Sequence, residues 1–412
     1  MHLVRPFTGL RPAQAYAAEV AAPPYDVLSA EEARSRASGK PWSFLHISRP
    51  EIDLPEAEDP HSPRVYAKGA ENFGRMIESG VLVRDSGPRF YVYRMMAGSH
   101  SQTGIVVAAS IAGYDANRIR RHELTRPDKE DDRVRQIEAL NAQTGPALLA
   151  YPDAPELGAL LANAANGEPS TDVVADGGVR HTIWVVEDPQ ALSRITRAFD
   201  AMPALYIADG HHRSAAASRV AAARRAASGQ RGEASYEAFL AVAFPHRQMK
   251  ILPYNRAVKD LNGLSRDQFL VRVAERFTIR SSNAPVSPGG PGEIGLYLPG
   301  SWYRLSIKPS RLPKDDPVAR LDVSLLSEQI LTPVLGIADV RRDGRIDFVG
   351  GVRGPAELEA RVNGGEAACA FSLFATRMED LMAVADTGHV MPPKSTWFEP
   401  KLADGLVSHV LD

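Results

Sequence analysis

The sequence contains very little cysteine and no excess of charge of either sign. Cys369 is the only cysteine among 412 residues, and 48 Lys and Arg side chains stand against 50 Asp and Glu, for a net charge of −2. A single cysteine excludes an internal disulfide and a CxxC metal or redox site, so we expect Cys369 to be a small buried hydrophobic side chain. The balanced charge is not typical of proteins that bind duplex nucleic acid, and we expect no such partner.

Long hydrophobic runs are also missing. No uninterrupted apolar run comes near the ~18 residues that a membrane span requires, and residues 1–6 contain no apolar core of a secretory signal. We therefore expect a cytoplasmic protein without a membrane partner. The composition, 44% hydrophobic and 24% charged, is that of a globular chain, and the length is more than one hydrophobic core usually fills.

Two segments interrupt the pattern of strands and helices. Residues 163–178 are small and polar, and residues 281–292 alternate prolines with glycines and serines, which is typical of breaks between folded segments. They predict three α+β domains, at 1–165, 179–280 and 293–412. Strands and helices do not alternate regularly enough for a doubly wound parallel sheet, so the predicted fold class is α+β.

The most informative segment joins an apolar strand to an alanine-rich helix through a polar turn. Residues 204–208 predict the strand and residues 214–228 the helix, and Asp209 opens the turn between them. Such a turn puts free backbone N–H groups and the positive end of a helix dipole at one point, which is the geometry that binds phosphate. Asp209 offers a carboxylate for a proton or for Mg²⁺. The predicted phosphate-binding residues are Gly210, His211, His212 and Arg213.

A purely structural alternative exists for this turn, in which Asp209 caps the helix and the two histidines face solvent. Five consecutive polar or special residues exceed what capping requires, so we favour the functional interpretation. Zinc binding by His211 and His212 is not expected, because adjacent residues rarely direct both rings to one ion.

A second charged segment extends from residue 118 to residue 135. A mixed run of this kind is commonly a solvated helix face. Pro127 interrupts the helical register, however, and predicts that the residues before it lie in a loop after a strand. Loops at strand ends are where catalytic side chains collect. Glu123 is therefore the candidate general base, and His122 and Arg126 are candidate substrate-binding residues beside it.

Two proline-rich segments carry further candidates. Residues 23–27 form a rigid Pro-Pro-Tyr-Asp-Val turn. Residues 391–401 are too apolar and too rich in proline to be a loose end, so we expect them to pack back on the body of the protein. A structural role is the alternative for both segments. Residues 42–47 predict a strand, for which a structural role is also favoured. The candidate substrate-binding residues in the two segments are Tyr25, Asp26, Lys394 and Ser395.

Six motifs together resemble a bacterial family known as domain of unknown function 1015, and the resemblance extends over nearly the whole chain. A narrower resemblance concerns the turn at 209–213, which is similar to the phosphate-binding turn of free serine kinases built on the ParB/sulfiredoxin-like fold. This resemblance implies a mixed-sheet nucleotide-binding core with an additional C-terminal α+β lobe, and Mg²⁺ with ATP or ADP as cofactors. It also implies that Glu123 and Asp209 are catalytic and that Asp209 holds the metal. The six motifs are Arg5-Pro6-Phe7, Pro23-Pro24-Tyr25-Asp26-Val27, Arg121-His122-Glu123, Ala208-Asp209-Gly210-His211-His212-Arg213, Ile346-Asp347-Phe348-Val349-Gly350-Gly351 and Pro392-Pro393-Lys394-Ser395-Thr396.

Phosphoryl transfer requires an anion cradle, cations and a base near the acceptor hydroxyl. The candidate residues supply all three. We therefore expect a nucleotide-dependent kinase that phosphorylates a small free metabolite such as serine. Two other functions use the same cradle: a non-catalytic nucleotide or phosphometabolite sensor that acts on a protein partner, and a phosphohydrolase.

Overall fold

The computed structural model describes residues 2–175, 177–229 and 232–412, and it confirms an α+β fold with a large mixed sheet. The strands are β1 (Val4–Arg5), β2 (Gly9–Pro12), β3 (Leu82–Arg84), β4 (Phe90–Ala97), β5 (His100–Ser110), β6 (Ile119–Arg120), β7 (Ala142–Gln143), β8 (Ala147–Tyr151), β9 (Thr171–Val174), β10 (Arg180–Val186), β11 (Leu205–Asp209), β12 (Ala238–Pro245), β13 (Lys250–Leu252), β14 (Tyr254–Val258), β15 (Phe277–Ser282), β16 (Glu293–Leu298), β17 (Ser301–Ile307), β18 (Ile346–Gly350), β19 (Cys369–Leu373), β20 (Trp397–Glu399) and β21 (Ser408–Val410). The helices are α1 (Ala17–Val20), α2 (Ala30–Ala37), α3 (Leu45–Ser48), α4 (Pro63–Glu78), α5 (Ile111–Asp115), α6 (Pro127–Leu140), α7 (Pro155–Ala164), α8 (Pro189–Asp200), α9 (His211–Ser228), α10 (Arg266–Ala274), α11 (Asp322–Leu326), α12 (Gly354–Asn363) and α13 (Met378–Asp386).

The chain forms two compact units. The first contains the residues up to Met249 together with Pro400–Asp412, and the second is Lys250–Glu399. These bounds differ from the three domains expected from the sequence. The reason is strand pairing: β12 lies between β8 and β5 in one sheet, and β21 pairs with β2 and β7. Residues from the first two expected domains therefore share a sheet, and the end of the chain returns to the first unit.

The first unit is built on a mixed sheet. Nine strands of the described chain form it in the order β6-β11-β8-β12-β5-β4-β10-β9, with β1 paired to β5. Strand β6 pairs with β11 in parallel and β8 pairs with β12 in parallel. Every residue of β8 is buried, as expected for a central strand that is covered on both faces. The parallel pairing of β6 with β11 brings the carboxyl ends of these two strands to the same edge of the sheet.

Helix α9 follows β11 and packs against α6. It is rich in alanine, the best helix former. Gly229 follows its last residue, and the positive φ of 69° at this glycine is the left-handed conformation that commonly ends a helix. Arg219 of α9 pairs with Glu130 and Asp131 of α6 at 3.2 and 2.7 Å. Pro127 is the first residue of α6, which confirms the prediction that the residues before it form a loop.

Two local expectations are wrong. Residues 42–47 form no strand. They lead into the short helix α3, in which Leu45 and Ile47 are buried in a hydrophobic cluster. Residues 163–178 are more than a break, because they contain β9, which pairs with β10 at the sheet edge. Asp176 in this segment lies outside the described residues. Both errors concern short segments, whose conformation depends on the elements they pack against.

The second unit is built on an antiparallel sheet. Six strands of its described residues pair in the order β15-β17-β16-β19-β14-β18. Strands β16 and β17 form a hairpin, and Gly300 in its turn has a φ of 74°. Cys369 is fully buried in β19, as predicted. Strand β20 pairs with β13 and Phe398 is buried, so this part of the chain packs on the body of the protein, as expected.

No helix in the described part of the chain is both long enough and apolar enough to cross a membrane.

Candidate functional site

The turn after β11 has a conformation that requires glycine. Gly210 has a φ of 92°, and a Cβ added there would lie 3.0 Å from the Cα of Ala147 and 3.0 Å from Nε of Arg213. Just before it, the register between β11 and β8 shifts between Ile207 and Asp209. A shift of this kind redirects a side chain at the end of a strand, and here it occurs immediately before the Asp209 carboxylate.

Helix α9 starts at His211, directly after this turn. The N–H of Ser214 bonds to the carbonyl of Gly210, which leaves the N–H groups of the first turn without acceptors inside the helix. Together with the positive end of the dipole of this 18-residue helix, these groups favour an anion. The strand, turn and helix predicted from the sequence are therefore present.

The loop after β6 brings Glu123 to this turn. Strands β6 and β11 are parallel neighbours, so the residues that follow each of them leave the sheet at the same edge. Oε2 of Glu123 lies 3.6 Å from Nδ1 of His211. The Glu123 side chain is 46% exposed, whereas that of His211 is 2% exposed. The structure thus joins the two segments that the sequence analysis selected independently.

His122 and His211 form a buried pair of rings beneath Glu123. Their ring centroids are 4.5 Å apart at an interplanar angle of 88°, and the backbone N–H of His122 donates to Nε2 of His211 at 3.5 Å. Burial lowers the pKa of His122 to about 4, against a weaker opposing effect of its hydrogen bond to the Ile207 backbone. Burial also lowers the pKa of His211 well below its ordinary value. Both rings are therefore neutral at pH 7.

Asp209 is held between two cations. Its Oδ2 accepts a hydrogen bond from Nζ of Lys401 at 3.1 Å, and its Oδ1 lies 3.4 Å from Nη2 of Arg213. Burial acts to raise the pKa of Asp209, but the charges of Lys401 and Arg213 outweigh it and hold that pKa below its ordinary range. Asp209 is thus an ionised carboxylate that orients two cations.

Sequence reasoning missed Lys401. This residue belongs to the segment 391–401, in which only Lys394 and Ser395 were selected. Lys401 and Asp404 are the charged residues in an otherwise apolar stretch after Pro400, and this interruption was the available signal. The separation of 192 residues between Lys401 and Asp209 explains why no local pattern connects them.

The site offers two different donor sets for a metal. Each oxygen of Asp209 already faces a cation, so Mg²⁺ would have to compete with Lys401 and Arg213 there. The ring nitrogens of His122 and His211 and a carboxylate oxygen of Glu123 all lie within 4.8 Å of one another. Two imidazoles and one carboxylate suit a transition metal better than Mg²⁺, which prefers oxygen. The assignment of Mg²⁺ to Asp209 stays a prediction.

His212 and Arg126 connect the loop to the helix. The backbone N–H of Arg126 donates to Nε2 of His212 at 3.1 Å. The Arg126 guanidinium instead pairs with Asp128 at 2.8 Å on the surface. Burial lowers the pKa of His212, which therefore accepts this hydrogen bond as a neutral ring. This contact stabilises the position of the loop that carries Glu123.

Tyr25 and Asp26 lie beside Arg213. The guanidinium of Arg133 is stacked 3.9 Å from the centre of the Tyr25 ring. Burial acts to lower the pKa of Arg213, but the charges of Asp209 and Asp26 outweigh it and hold that pKa above its ordinary value. The turn at 23–27 therefore belongs to the surroundings of Arg213, and a role for Tyr25 or Asp26 in substrate binding stays a prediction.

Lys394 and Ser395 belong to the second unit. The Lys394 ammonium lies 5.7 Å from the centre of the Tyr254 ring, and its carbonyl accepts a hydrogen bond from the buried Arg256. The Ser395 hydroxyl donates to the carbonyl of Pro392 at 2.6 Å. These contacts stabilise the turn at 392–395, and a role for either residue in ligand binding stays a prediction.

Several solved structures are similar to this chain. A free serine kinase in complex with AMP is 13% identical, with a TM-score of 0.34, over 72% of this chain and 86% of that chain. SbnI with a C-terminal truncation, from Staphylococcus aureus, is 10% identical, with a TM-score of 0.38, over 73% of this chain and 85% of that chain. A conserved hypothetical protein from Pyrococcus furiosus is 13% identical, with a TM-score of 0.34, over 73% of this chain and 93% of that chain.

No curated protein matches the sequence. A family model described as protein of unknown function (DUF1015) matches residues 4–324. The match covers most of the chain and includes the loop that carries Glu123 and the turn that carries Asp209. The chain belongs to the DUF1015 family.

Proposed function

We propose that this protein transfers a phosphoryl group from a nucleotide to the hydroxyl group of a small free metabolite such as serine. One observation carries the proposal. The half-exposed carboxylate of Glu123 lies 3.6 Å from His211, the first residue of α9, at an edge where an anion cradle and two cations also lie. Phosphoryl transfer needs positioning, charge neutralisation and one base, and little else from the protein.

The phosphates would lie at the start of α9. The backbone N–H groups of His211, His212 and Arg213 supply donors, and the side chains of Arg213 and Lys401 supply positive charge. Asp209 holds these two cations in place through its contacts at 3.4 and 3.1 Å. A nucleotide as the phosphoryl donor follows from the resemblance of the turn at 209–213 to that of free serine kinases.

Glu123 is the base in this proposal, and Asp209 is not. Asp209 has a lowered pKa and is paired with two cations, so its affinity for a proton is small. Glu123 is half exposed and accessible to a substrate, and its carboxylate lies 3.6 Å from the neutral imidazole of His211. The two carboxylates therefore have separate tasks, one accepting the proton of the acceptor hydroxyl and the other organising charge.

A magnesium ion that enters with ATP or ADP is part of the proposal, with Asp209 as its protein ligand. The carboxylate has the right chemistry, because Mg²⁺ is commonly bound by one or two carboxylates together with phosphate oxygens and water. The ion would neutralise charge on the phosphates. Lys401 stands at the same carboxylate, so the metal dependence of nucleotide binding is a direct test of this assignment.

The test is an assay of the purified full chain with ATP or ADP, Mg²⁺ and a panel of hydroxyl-bearing amino acids and hydroxy acids, read by phosphorus NMR. A phosphorylated acceptor supports the proposal. Release of inorganic phosphate without an acceptor would instead indicate a phosphohydrolase. Nucleotide-dependent thermal stabilisation without any turnover would indicate a sensor.

A further inference from the structure

A small cavity is lined in part by Arg213, which also contacts Asp209. It measures about 40 Å³ and is bounded by residues of the turn at 23–27, helix α6, the β7–β8 connection, helix α9 and the end of the chain. A water-sized group needs roughly 10–15 Å³ in this measure, so the cavity has room for about three such groups. That volume suits the polar end of a small molecule and is too small for a nucleotide. The lining residues used below are Tyr25, Ser48, Arg133, Arg213 and Asp404.

Two polar atoms in this lining lack a hydrogen-bond partner among the described residues. They are Oδ1 of Asp404 and Oγ of Ser48, on residues that are 2% and 5% exposed. Buried polar groups are almost always satisfied, and the backbone N–H of Tyr25 interacts with the carboxyl group of Asp404. A carboxylate oxygen accepts hydrogen bonds and a serine hydroxyl can accept as well as donate, so a donor group in the cavity would satisfy both atoms.

The charged side chains around the cavity favour a cation when Asp404 is ionised. Arg133 and Arg213 line it, and Lys401 is bonded to Asp209. Against these three cations stand four carboxylates: Asp132 bonded to Arg133, Asp209 bonded to Arg213, Asp26 acting on Arg213, and Asp404 itself. With Asp404 ionised, one negative charge remains without a counterion, and a ligand with one positive charge would neutralise it.

We infer that this cavity binds the protonated amino group of the acceptor substrate, with Asp404 and Ser48 accepting its hydrogens. The inference rests on the proposed function in one respect, namely that the amine-bearing molecule is the phosphoryl acceptor. A primary ammonium has three donors, one positive charge and the size of a water molecule. Arg213 connects the two places, because it lines the cavity and also contacts Asp209. The substrate class is therefore a small amine that also carries a hydroxyl group.

The protonation of Asp404 gives a signature of this binding. Burial and the charge of Asp26 raise the pKa of Asp404, and Arg213, Arg133 and the N–H of Tyr25 oppose them, so that the resulting pKa is about 7. At pH 6 the carboxyl group therefore holds a proton, which an arriving ammonium would displace. Amine binding should release about one proton at pH 6 and almost none above pH 8.

The experiment is calorimetric titration of the purified full chain with two matched pairs of probes, L-serine against glycerate and ethanolamine against ethylene glycol. Each pair differs in the amino group. We expect the amine of a pair to bind at least tenfold more tightly than its partner, with proton release measured by repeating the titration in buffers of different ionisation enthalpy. Equal affinities within both pairs, or no amine binding, would overturn the inference.

Two variants separate the cavity from general charge effects. Asp404→Asn keeps the shape of the side chain and should weaken amine binding at least tenfold and abolish the proton release, while nucleotide binding is retained. Asp172→Asn removes the same charge from a surface pair with Arg180 and should change neither. If Asp404→Asn does not fold, the pH dependence of proton release in the unmodified protein still decides the matter.

The outcomes for the inference and for the proposed function are distinguishable. Phosphorylation of glycerate as fast as that of serine would leave the kinase in place and end the inference. If amines bind and Asp404→Asn abolishes that binding, the cavity assignment stands. If no acceptor is phosphorylated in the same preparation, the proposed function is wrong.

Discussion

The two units use buried polar groups for different purposes. In the first unit, the parallel pair β6 and β11 directs two connections to one edge of the sheet, where Glu123, His211 and Asp209 meet. The sheet of the second unit has only antiparallel pairs among its described strands, and its buried Arg256 donates to the carbonyls of Tyr254, Asn255 and Lys394. The carboxylates at this edge of the first unit are partly exposed, whereas the buried charge of Arg256 in the second unit stabilises a turn.

This difference follows from topology. Successive antiparallel strands leave a sheet at opposite edges, so the residues that follow them are separated. A parallel pair needs a long crossover but places two equivalent strand ends side by side. The comparison therefore predicts that changes at the parallel edge of the first unit affect chemistry, and that similar changes in the second unit affect stability alone.

The largest expected effect comes from Glu123→Gln. The amide keeps the shape of the side chain but loses its affinity for a proton, so turnover should fall by ~10²–10⁴-fold with nucleotide affinity nearly unchanged. The matched control is Glu275→Gln, an exposed residue of the second unit paired with Arg276, which should retain full activity. Steady-state kinetics together with nucleotide titration make the comparison. Full activity of Glu123→Gln would place the base elsewhere.

The second prediction is that the two units respond to acid in opposite directions. Burial lowers the pKa of His122, His181 and His409 in the first unit to about 4. The unfolded chain therefore takes up protons below pH 6.5 that the folded unit excludes, and the free energy of unfolding decreases as the pH falls from 6.5 towards 4. Burial raises the pKa of Asp322 in the second unit to about 7. The contribution of Asp322 to the free energy of unfolding is therefore complete below pH 4, and it is lost as the pH rises through 7 and the buried carboxyl group must ionise.

Each of these groups changes stability by roughly 1.4 kcal/mol per pH unit in its own range. Asp404 opposes the three histidines within the first unit, and these four groups together leave a net loss of roughly 2–3 kcal/mol between pH 6 and 5. The lowered pKa values of His211 and His212 act in the same direction as those of the three histidines. Hydrogen exchange of the full chain, corrected for the intrinsic effect of pH, should show loss of protection in β5 and β12 and none in β16 and β19. Equal losses in both sheets would contradict the prediction.

Asp209→Asn should have a smaller effect on stability and a separate effect on binding. It leaves Lys401 and Arg213 without their shared carboxylate, which should cost roughly 1–3 kcal/mol in the free energy of unfolding. It should also reduce both turnover and metal-dependent nucleotide affinity, with partial recovery at high Mg²⁺. Denaturant titration and nucleotide binding at several Mg²⁺ concentrations measure the two effects. If the nucleotide affinity does not depend on Mg²⁺ in either the unmodified protein or the variant, Asp209 is not a ligand of the metal.

The smallest expected effect distinguishes two glycines that both have positive φ. Gly300→Ala, in the hairpin of the second unit, meets no atom within 4 Å and should cost roughly 1–2 kcal/mol for the backbone conformation alone. Gly210→Ala has the same backbone cost and also brings a Cβ within 3.0 Å of Ala147 and Arg213. We expect it to be the less stable of the two variants and to weaken nucleotide binding. Equal melting temperatures would show that the turn at Gly210 adjusts freely.

Local structure follows from the sequence where one residue type has one physical consequence. The strand, turn and helix around Asp209 were predictable because an apolar run, a glycine and an alanine-rich run each favour one conformation. Pro127 marked the end of the loop that carries Glu123, because proline is tolerated in the first turn of a helix and not in its interior. The hairpin at Gly300 is predictable for a similar reason, since glycine accepts a positive φ without strain.

Only the tertiary structure decided which of these local pieces meet. The contact of Glu123 with His211 depends on the parallel pairing of β6 with β11, and the contact of Lys401 with Asp209 depends on the return of the chain end to the first unit. The cavity with Asp404 and Ser48 depends on the same return. Composition and periodicity are properties of neighbouring residues, whereas these contacts join residues far apart in the chain. These contacts form only because the strands pair in a particular order within the sheet, and no local pattern in the sequence encodes that order.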